Sequence, residues 1–232
     1  MNKKTKKKIL IYEELEIGML LAATGGFMDA YSYLTHGWRF ASLQSGNVIL
    51  MAIHLIRGQF NQGWIYLFPI FAFAIGAGIN FLLKDFASKR NLRRHQFSLL
   101  IELIGVSICG LFASVLSNNA FIFLLSFFAA IQADTFKKLR GMPYANIMMT
   151  GNIRTTGSML IGGIFSKNSE MLIKGRNAFL VVISFFLGAL LSATLVPYTK
   201  NFTILGASIL LWLTFIIIRR ENKLSDKLKI VK

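Results

Sequence analysis

Eight apolar stretches, at roughly 15–35, 42–57, 64–83, 97–116, 119–136, 145–165, 178–198 and 202–218, leave this chain no polar segment long enough to cover a second layer of structure in water. A helix needs about 20 mostly apolar residues to cross a bilayer. The third, fourth, seventh and eighth stretches meet that length cleanly. With 54% hydrophobic and 16% charged residues and a mean hydropathy of +0.56, lipid is the expected solvent. The fold class that follows is all-α: a polytopic membrane helix bundle forming one membrane domain.

Two of the remaining, peculiar stretches are the informative ones, the first of them short. Segment 42–57 carries Gln44, Asn47 and His54, and segment 145–165 carries Asn146, Asn152, Arg154 and several Gly and Thr residues. Laying residues 25–48 on 130–153 places Asp29 on Asp134, Tyr31 on Phe136 and Leu34 on Leu139. It also places Ser45-Gly46-Asn47 on Thr150-Gly151-Asn152 and, further along, Gly58 on Gly163; with a loop insertion, Gly76-Ala77 falls opposite Gly188-Ala189. This spacing predicts an internal repeat, with a basic tail at 1–14, membrane repeats at 15–116 and 117–218, and a second basic tail at 219–232.

Charge placement sets the expected number of crossings, because short cytoplasmic loops collect Lys and Arg. Eight crossings would put 15 basic residues inside and 10 outside, including the cluster Lys84, Lys89, Arg90, Arg93 and Arg94. If 15–57 and 119–165 each cross once in net, 22 lie inside and only Arg39, Arg57 and Lys200 outside. Six net crossings are therefore expected, with both termini cytoplasmic and the halves inverted, and the Gly-Asn segments become broken or re-entrant helices. Lipid tolerates such backbone only where it is buried in protein or faces water. The alternative is that they are ordinary spans with polar interfaces.

The formal charge of +16 sits in the tails and short loops, the pattern of membrane loops rather than of a nucleic-acid surface. No nucleic-acid partner is expected; lipid is. The Lys-rich start is followed by Glu13, Glu14 and Glu16, and the next apolar run meets Asp29 instead of a small-residue cleavage site. This reads as a retained first membrane segment. Cys109 stands alone in an apolar stretch, so a packing role is expected. Phosphate loop, nucleophile elbow and Cys/His cluster are all missing from the sequence, so neither an enzyme nor a cofactor or metal site is expected.

Residues for a substrate or ion pathway are Asp29 and Asp134, since a carboxylate at membrane depth is costly unless paired, protonated or wet; helix-end capping is the bland alternative. With them stand Gln44, Ser45, Gly46 and Asn47, and Thr150, Gly151, Asn152 and Arg154, which combine hydroxyl, bare backbone and amide as a polar helix break requires. Helix-packing glue is their alternative. Glu102, one turn into the fourth stretch, ranks lower, and His54 reads as a packed or hydrogen-bonded residue. The pairs Ala72/Gly76, Ala74/Gly78 and Gly188/Ser192 suit close helix approach, and Trp38, Trp64 and Tyr66 suit interface anchors.

The run Gly25-Gly26-Phe27-Met28-Asp29-Ala30-Tyr31-Ser32-Tyr33-Leu34, then Phe40 and Gln44-Ser45-Gly46-Asn47, resembles the bacterial YoaK-like family of transmembrane proteins. Gly141, Pro143-Tyr144 and Met148-Met149-Thr150-Gly151-Asn152 look like that family's second motif. Ser45 stands where the family's first triplet has Thr, and Gln132 is a firmer family position than Asp134. The resemblance covers nearly the whole chain apart from its tails. It implies a multi-pass protein of the bacterial cytoplasmic membrane with about six spans. The expectation that joins these readings is a small secondary transporter or exporter, handling a small solute or coupling cation. Its rival is a non-transporting scaffold or assembly partner with basic tails on the cytoplasmic face.

Overall fold

The computed structural model describes residues 10–230, with side chains to 222. The basic cluster Lys3 to Lys8 lies outside the described residues. A short 3₁₀ turn, Ile11–Glu13, leads into α1 (Leu15–Thr35), followed by α2 (Gln44–Ile56), α3 (Phe60–Trp64), α4 (Leu67–Lys89), α5 (Arg94–Leu111) and α6 (Asn118–Thr135). A two-residue β-ladder then pairs β1 (Lys138–Leu139) antiparallel with β2 (Met142–Pro143). The chain ends in α7 (Met149–Phe165), α8 (Ser169–Thr199) and α9 (Leu205–Ile230). The fold is thus mostly helical, the ladder being its departure from all-α.

Hydropathy misjudges some boundaries for a simple reason. α8 begins at Ser169, nine residues before the apolar stretch, because the Asn168 side chain accepts from the amides of Glu170 and Met171 and caps a first, amphipathic turn. α6 starts likewise on Ser117, whose hydroxyl accepts from Ala120 N. α1 stops at His36, with Gly37 and Trp38 both in the left-handed region (φ +73 and +58).

Helix pairing is governed by bare backbone. A Cβ on Gly26 would overlap the Phe185 carbonyl of α8, and one on Gly188 would overlap the Ala23 carbonyl of α1. Gly76 of α4 similarly faces the Phe127 carbonyl and Ala130 of α6. Such contacts let helix backbones meet where lipid offers no hydrophobic drive for helices to associate. The pair Ala74/Gly78 does not serve this purpose: nothing lies within 4 Å of a Cβ built on Gly78, which is on the outward face. α1, α5, α6 and α9 enclose the core through Leu21, Phe27, Leu99, Phe121, Leu125 and Leu211, and Cys109 is buried there.

Much of the outer surface is apolar. Among the described residues, 60–89 and 169–222 hold windows long and apolar enough to cross a membrane, with mean hydropathy 1.9 and 2.5, yet only 28% and 22% of those windows is buried. Phe71, Ile75 and Phe81 of α4 and Phe186 and Leu190 of α8 are among the exposed side chains. A soluble core helix would hide such a face; a lipid-facing one displays it. Trp38 and Trp64 are exposed, as interface anchors should be, but Tyr66 is 2% exposed. It departs from the anchor expectation because its ring stacks on His54, which is itself held by Gln59 Oε1 at 2.6 Å.

Candidate functional site: two segments that turn back

After α1 the chain reverses along the helix it has just left. Ala41 N donates to Ser32 Oγ (3.0 Å), and Ser42 donates to the Asp29 carboxylate from both its amide (2.6 Å) and its hydroxyl (2.7 Å). Asn47, fully buried in the first turn of α2, then reaches back seven residues: its Oδ1 accepts from Phe40 N (2.9 Å), and its Nδ2 donates to Phe40 O and Gln44 Oε1 (2.8 Å each). Gln44 Nε2 donates to Ala41 O at 2.9 Å. Every polar group of this unwound stretch that Asn47 touches is thereby satisfied, which apolar surroundings demand.

After α6 the chain does the same. Asn146 Nδ2 donates to Gln132 O (3.1 Å) and Phe136 O (3.0 Å), drawing the segment back along α6. Asn152 in the first turn of α7 reaches back seven residues and donates to Ala145 O at 2.6 Å. Tyr144 OH donates to Gly18 O of α1 (2.7 Å), and a Cβ on Gly25 would crowd Ile147, so this segment lies against α1 as well. At the tip of the ladder, Arg140 pairs with Glu14 (3.0 Å) and Gly141 N donates to Glu13 (3.0 Å).

Each short helix then folds antiparallel onto its successor. Gly63 faces Leu55 between α3 and α2, while Gly163 and Gly175 face Leu172 and Leu160 between α7 and α8. Gly58 and Gly163, which coincide in the alignment, occupy different places. Gly58 occupies the α2–α3 turn with φ +72, whereas Gly163 lies inside α7, which at 17 residues is about one turn longer than the 13-residue α2.

The two aspartates that share an alignment position have different surroundings. Asp29 is buried on the neutral Ser42, whereas Asp134 is partly exposed in an ion pair with Lys84 (2.7 Å), with Lys137 as a second cation and Asn80 Nδ2 at 2.9 Å. Gln132 is buried and donates to Leu21 O of α1 (3.0 Å). Ser45, Thr150, Gly151 and Arg154 are exposed. The nominated residues therefore form two groups, one at each turn-back. The second borders a cavity of about 580 Å³, lined in part by Lys137, Asn146, Gly151, Asn152, Arg154 and Met159.

Sequence reasoning missed Asn80, Ser42 and Arg39. Asn80 had a signal, an amide in the middle of an otherwise clean span. Arg39 had none: it is 2% exposed and held by neutral acceptors, His36 O (2.8 Å) and Asn119 Oδ1 (2.6 Å). Beside it, His36 Nδ1 lies 3.0 Å from Asn118 Oδ1, which places the proton on Nδ1, and Nε2 is buried without a partner among the described residues. Burial lowers the His36 pKa from its ordinary 6.5, the Asn118 bond opposes that, and Arg39 adds to it. The folded state thus favours neutral imidazole, and the unfolded state binds the extra proton first as pH falls through about 6.5. Acidification from pH 7 to 5 is expected to lower the melting temperature, and His36→Gln to lose less over that range; equal losses in both proteins would remove His36 from the account.

A family model described as a protein of unknown function, DUF1275, matches residues 17–217, a span that takes in both turn-backs and every helix that packs around them. The chain belongs to this family. DUF1275 is the YoaK-like family of membrane proteins, so the exposed apolar belt faces lipid. No curated protein and no solved structure matches the chain. Within the DUF1275 match, the resemblance read from the Gly-Asn motifs corresponds to the two turn-backs.

Proposed function

We propose that this DUF1275 protein is a small secondary transporter or exporter of the bacterial cytoplasmic membrane, built from two inverted halves that each cross three times. The observation that carries the reading is the matched seven-residue reach of Asn47 to Phe40 and Asn152 to Ala145, at the same offset of 105 positions that relates the two triplets. The helix pairing supports it: α1 meets α8 and α6 meets α4, each through a glycine on a neighbouring carbonyl. α2, about 20 Å long at 1.5 Å per residue, falls short of a hydrocarbon core of about 30 Å. It enters and returns on one side, and α7 does so from the other. Six crossings remain, with the basic residues of 84–94 and 137–140 on the cytoplasmic side. Broken helices at matched positions of inverted halves are where transporters bind solute.

The cavity at the second turn-back is the solute site of this reading. Its lining is mostly apolar, with Lys137 and Arg154 and the N-terminal end of α7 nearby, so a small amphipathic anion suits it. The experiment combines access with flux. In a Cys109→Ser background, Gly151→Cys and Arg154→Cys are expected to react with a charged, membrane-impermeant thiol reagent. The purified protein in proteoliposomes is expected to exchange small organic anions down an imposed gradient, and Arg154→Ala to reduce that flux by about tenfold, the loss of one charge-assisted contact. Unreactive cysteines together with no flux across an anion panel would return the protein to the scaffold reading.

A further inference from the structure

Glu102 is fully buried in α5, and neither carboxyl oxygen has a hydrogen-bond partner among the described residues. It sits near the middle of a helix that begins at Arg94 and ends at Leu111. An ionised carboxylate without a partner is not sustained in such surroundings, so the side chain holds a proton here. Ser98 lies four residues before it, on the same face of α5, and is also fully buried. The Ser98 hydroxyl donates to Asn80 Oδ1 of α4 (2.9 Å), and Asn80 Nδ2 donates to Thr135 Oγ1 (3.0 Å) and to Asp134 Oδ2 of α6 (2.9 Å). Asp134 in turn meets the partly exposed Lys84 at 2.7 Å. A buried polar chain thus runs from the basic surface to the turn of helix beneath Glu102.

We propose that Glu102 is an exchangeable proton-binding site in communication with the basic face: the acid gives its proton to the Ser98 hydroxyl, Ser98 passes its own to Asn80 Oδ1, and Asn80 Nδ2 releases one to Asp134 beside Lys84, the reverse sequence reloading the site. Among the described side chains, the titratable and charged groups on the elements packed against α5 are Lys84, Asp85 and Lys89 of α4, Asp134 of α6, Lys200 of the 3₁₀ turn Lys200–Ile204, and Arg219, Arg220 and Glu221 of α9; α5 itself carries Arg94, His95 and Cys109 besides Glu102. Of these, Lys84 and Asp134 join the chain. A structural role alone gives Glu102 no reason to exist: glutamine or leucine fills the same volume without requiring a captured proton. The inference rests on the protein's place in a membrane and not on solute transport, so its test needs no substrate.

The test is infrared spectroscopy of the full chain in lipid. A carbonyl stretch of a protonated carboxylic acid is expected at neutral pH, shifting on transfer to D₂O and disappearing in Glu102→Gln. Asn80→Leu is expected to slow that isotope exchange by roughly tenfold, the effect of about one lost hydrogen bond on the barrier. Ser98→Ala, which removes one hydroxyl, makes the same measurement if the Asn80→Leu protein does not fold. A band that persists in Glu102→Gln, or one that does not exchange at all, overturns the site; exchange at the wild-type rate in both path variants overturns the route.

Discussion

Gly188→Leu is expected to abolish the native assembly of the helix bundle, and Gly188→Ala to weaken it severely. A Cβ at this position would occupy the space of the Ala23 carbonyl, and Gly26, on the other side of the same crossing, presses on the Phe185 carbonyl. Neither obstacle is a flexible side-chain tip that can swing aside. Relief requires α1 and α8 to separate, and that opens the packing around Phe27 and Leu21 at the same time. Overpacking a single methyl typically costs about 1–3 kcal/mol, and a backbone obstacle puts alanine at the upper end. Size-exclusion profiles and thermal unfolding of detergent-solubilised protein provide the check. A monodisperse Gly188→Leu protein melting with the wild type would show that the α1–α8 crossing is not what holds the bundle. Gly78→Leu is the matched control and is expected to be silent, since nothing lies near its Cβ.

The second large effect is expected at Asn47. Replacement by leucine strips partners from Phe40 N, Phe40 O and Gln44 Oε1 at once. Each buried polar group left unpaired costs about 1–3 kcal/mol, so a loss on the order of 3 kcal/mol is expected. Asn152→Leu strips a single carbonyl, Ala145 O, and is expected to cost about one third to one half as much. Thermal unfolding of the two variants side by side measures the order. Equal losses, or a larger one at Asn152, would mean that the first turn-back is held mainly by Ser42 on Asp29. The contrast also bears on function: an amide consumed by its own backbone shapes a pathway but has little left to offer a solute. In the second segment, Arg154 is exposed at the cavity with its charge available for a ligand, while Lys137, also in the lining, shares its charge with Asp134.

Segment type was the most legible property of the sequence. The first, fifth and sixth apolar stretches correspond closely to α1, α6 and α7, because transfer from water to lipid is a property each stretch carries by itself. The peculiarity of 42–57 and 145–165 was legible too, since an amide beside a glycine in an apolar run signals backbone that needs internal partners. The partners themselves were not legible. Asp29 and Asp134 align, yet one binds the hydroxyl of Ser42 and the other binds Lys84, because those partners arrive from a later loop and from α4. Gly78 and Gly76 look alike as small residues, and only the direction in which α4 faces α6 separates them.

By itself, the sequence determined the solvent of this protein, its apolar segments and the two polar stretches, 42–57 and 145–165, that stand apart among them. All three depend on local composition and on the cost of exposing backbone to lipid. Tertiary structure alone decided which helices touch, that Asn47 and Asn152 commit their amides to the chain seven residues behind, and that Glu102 is left without a partner. Those outcomes turn on shape and distance between segments far apart in the chain, where lipid offers no general attraction between helices and close packing of small residues selects the neighbours.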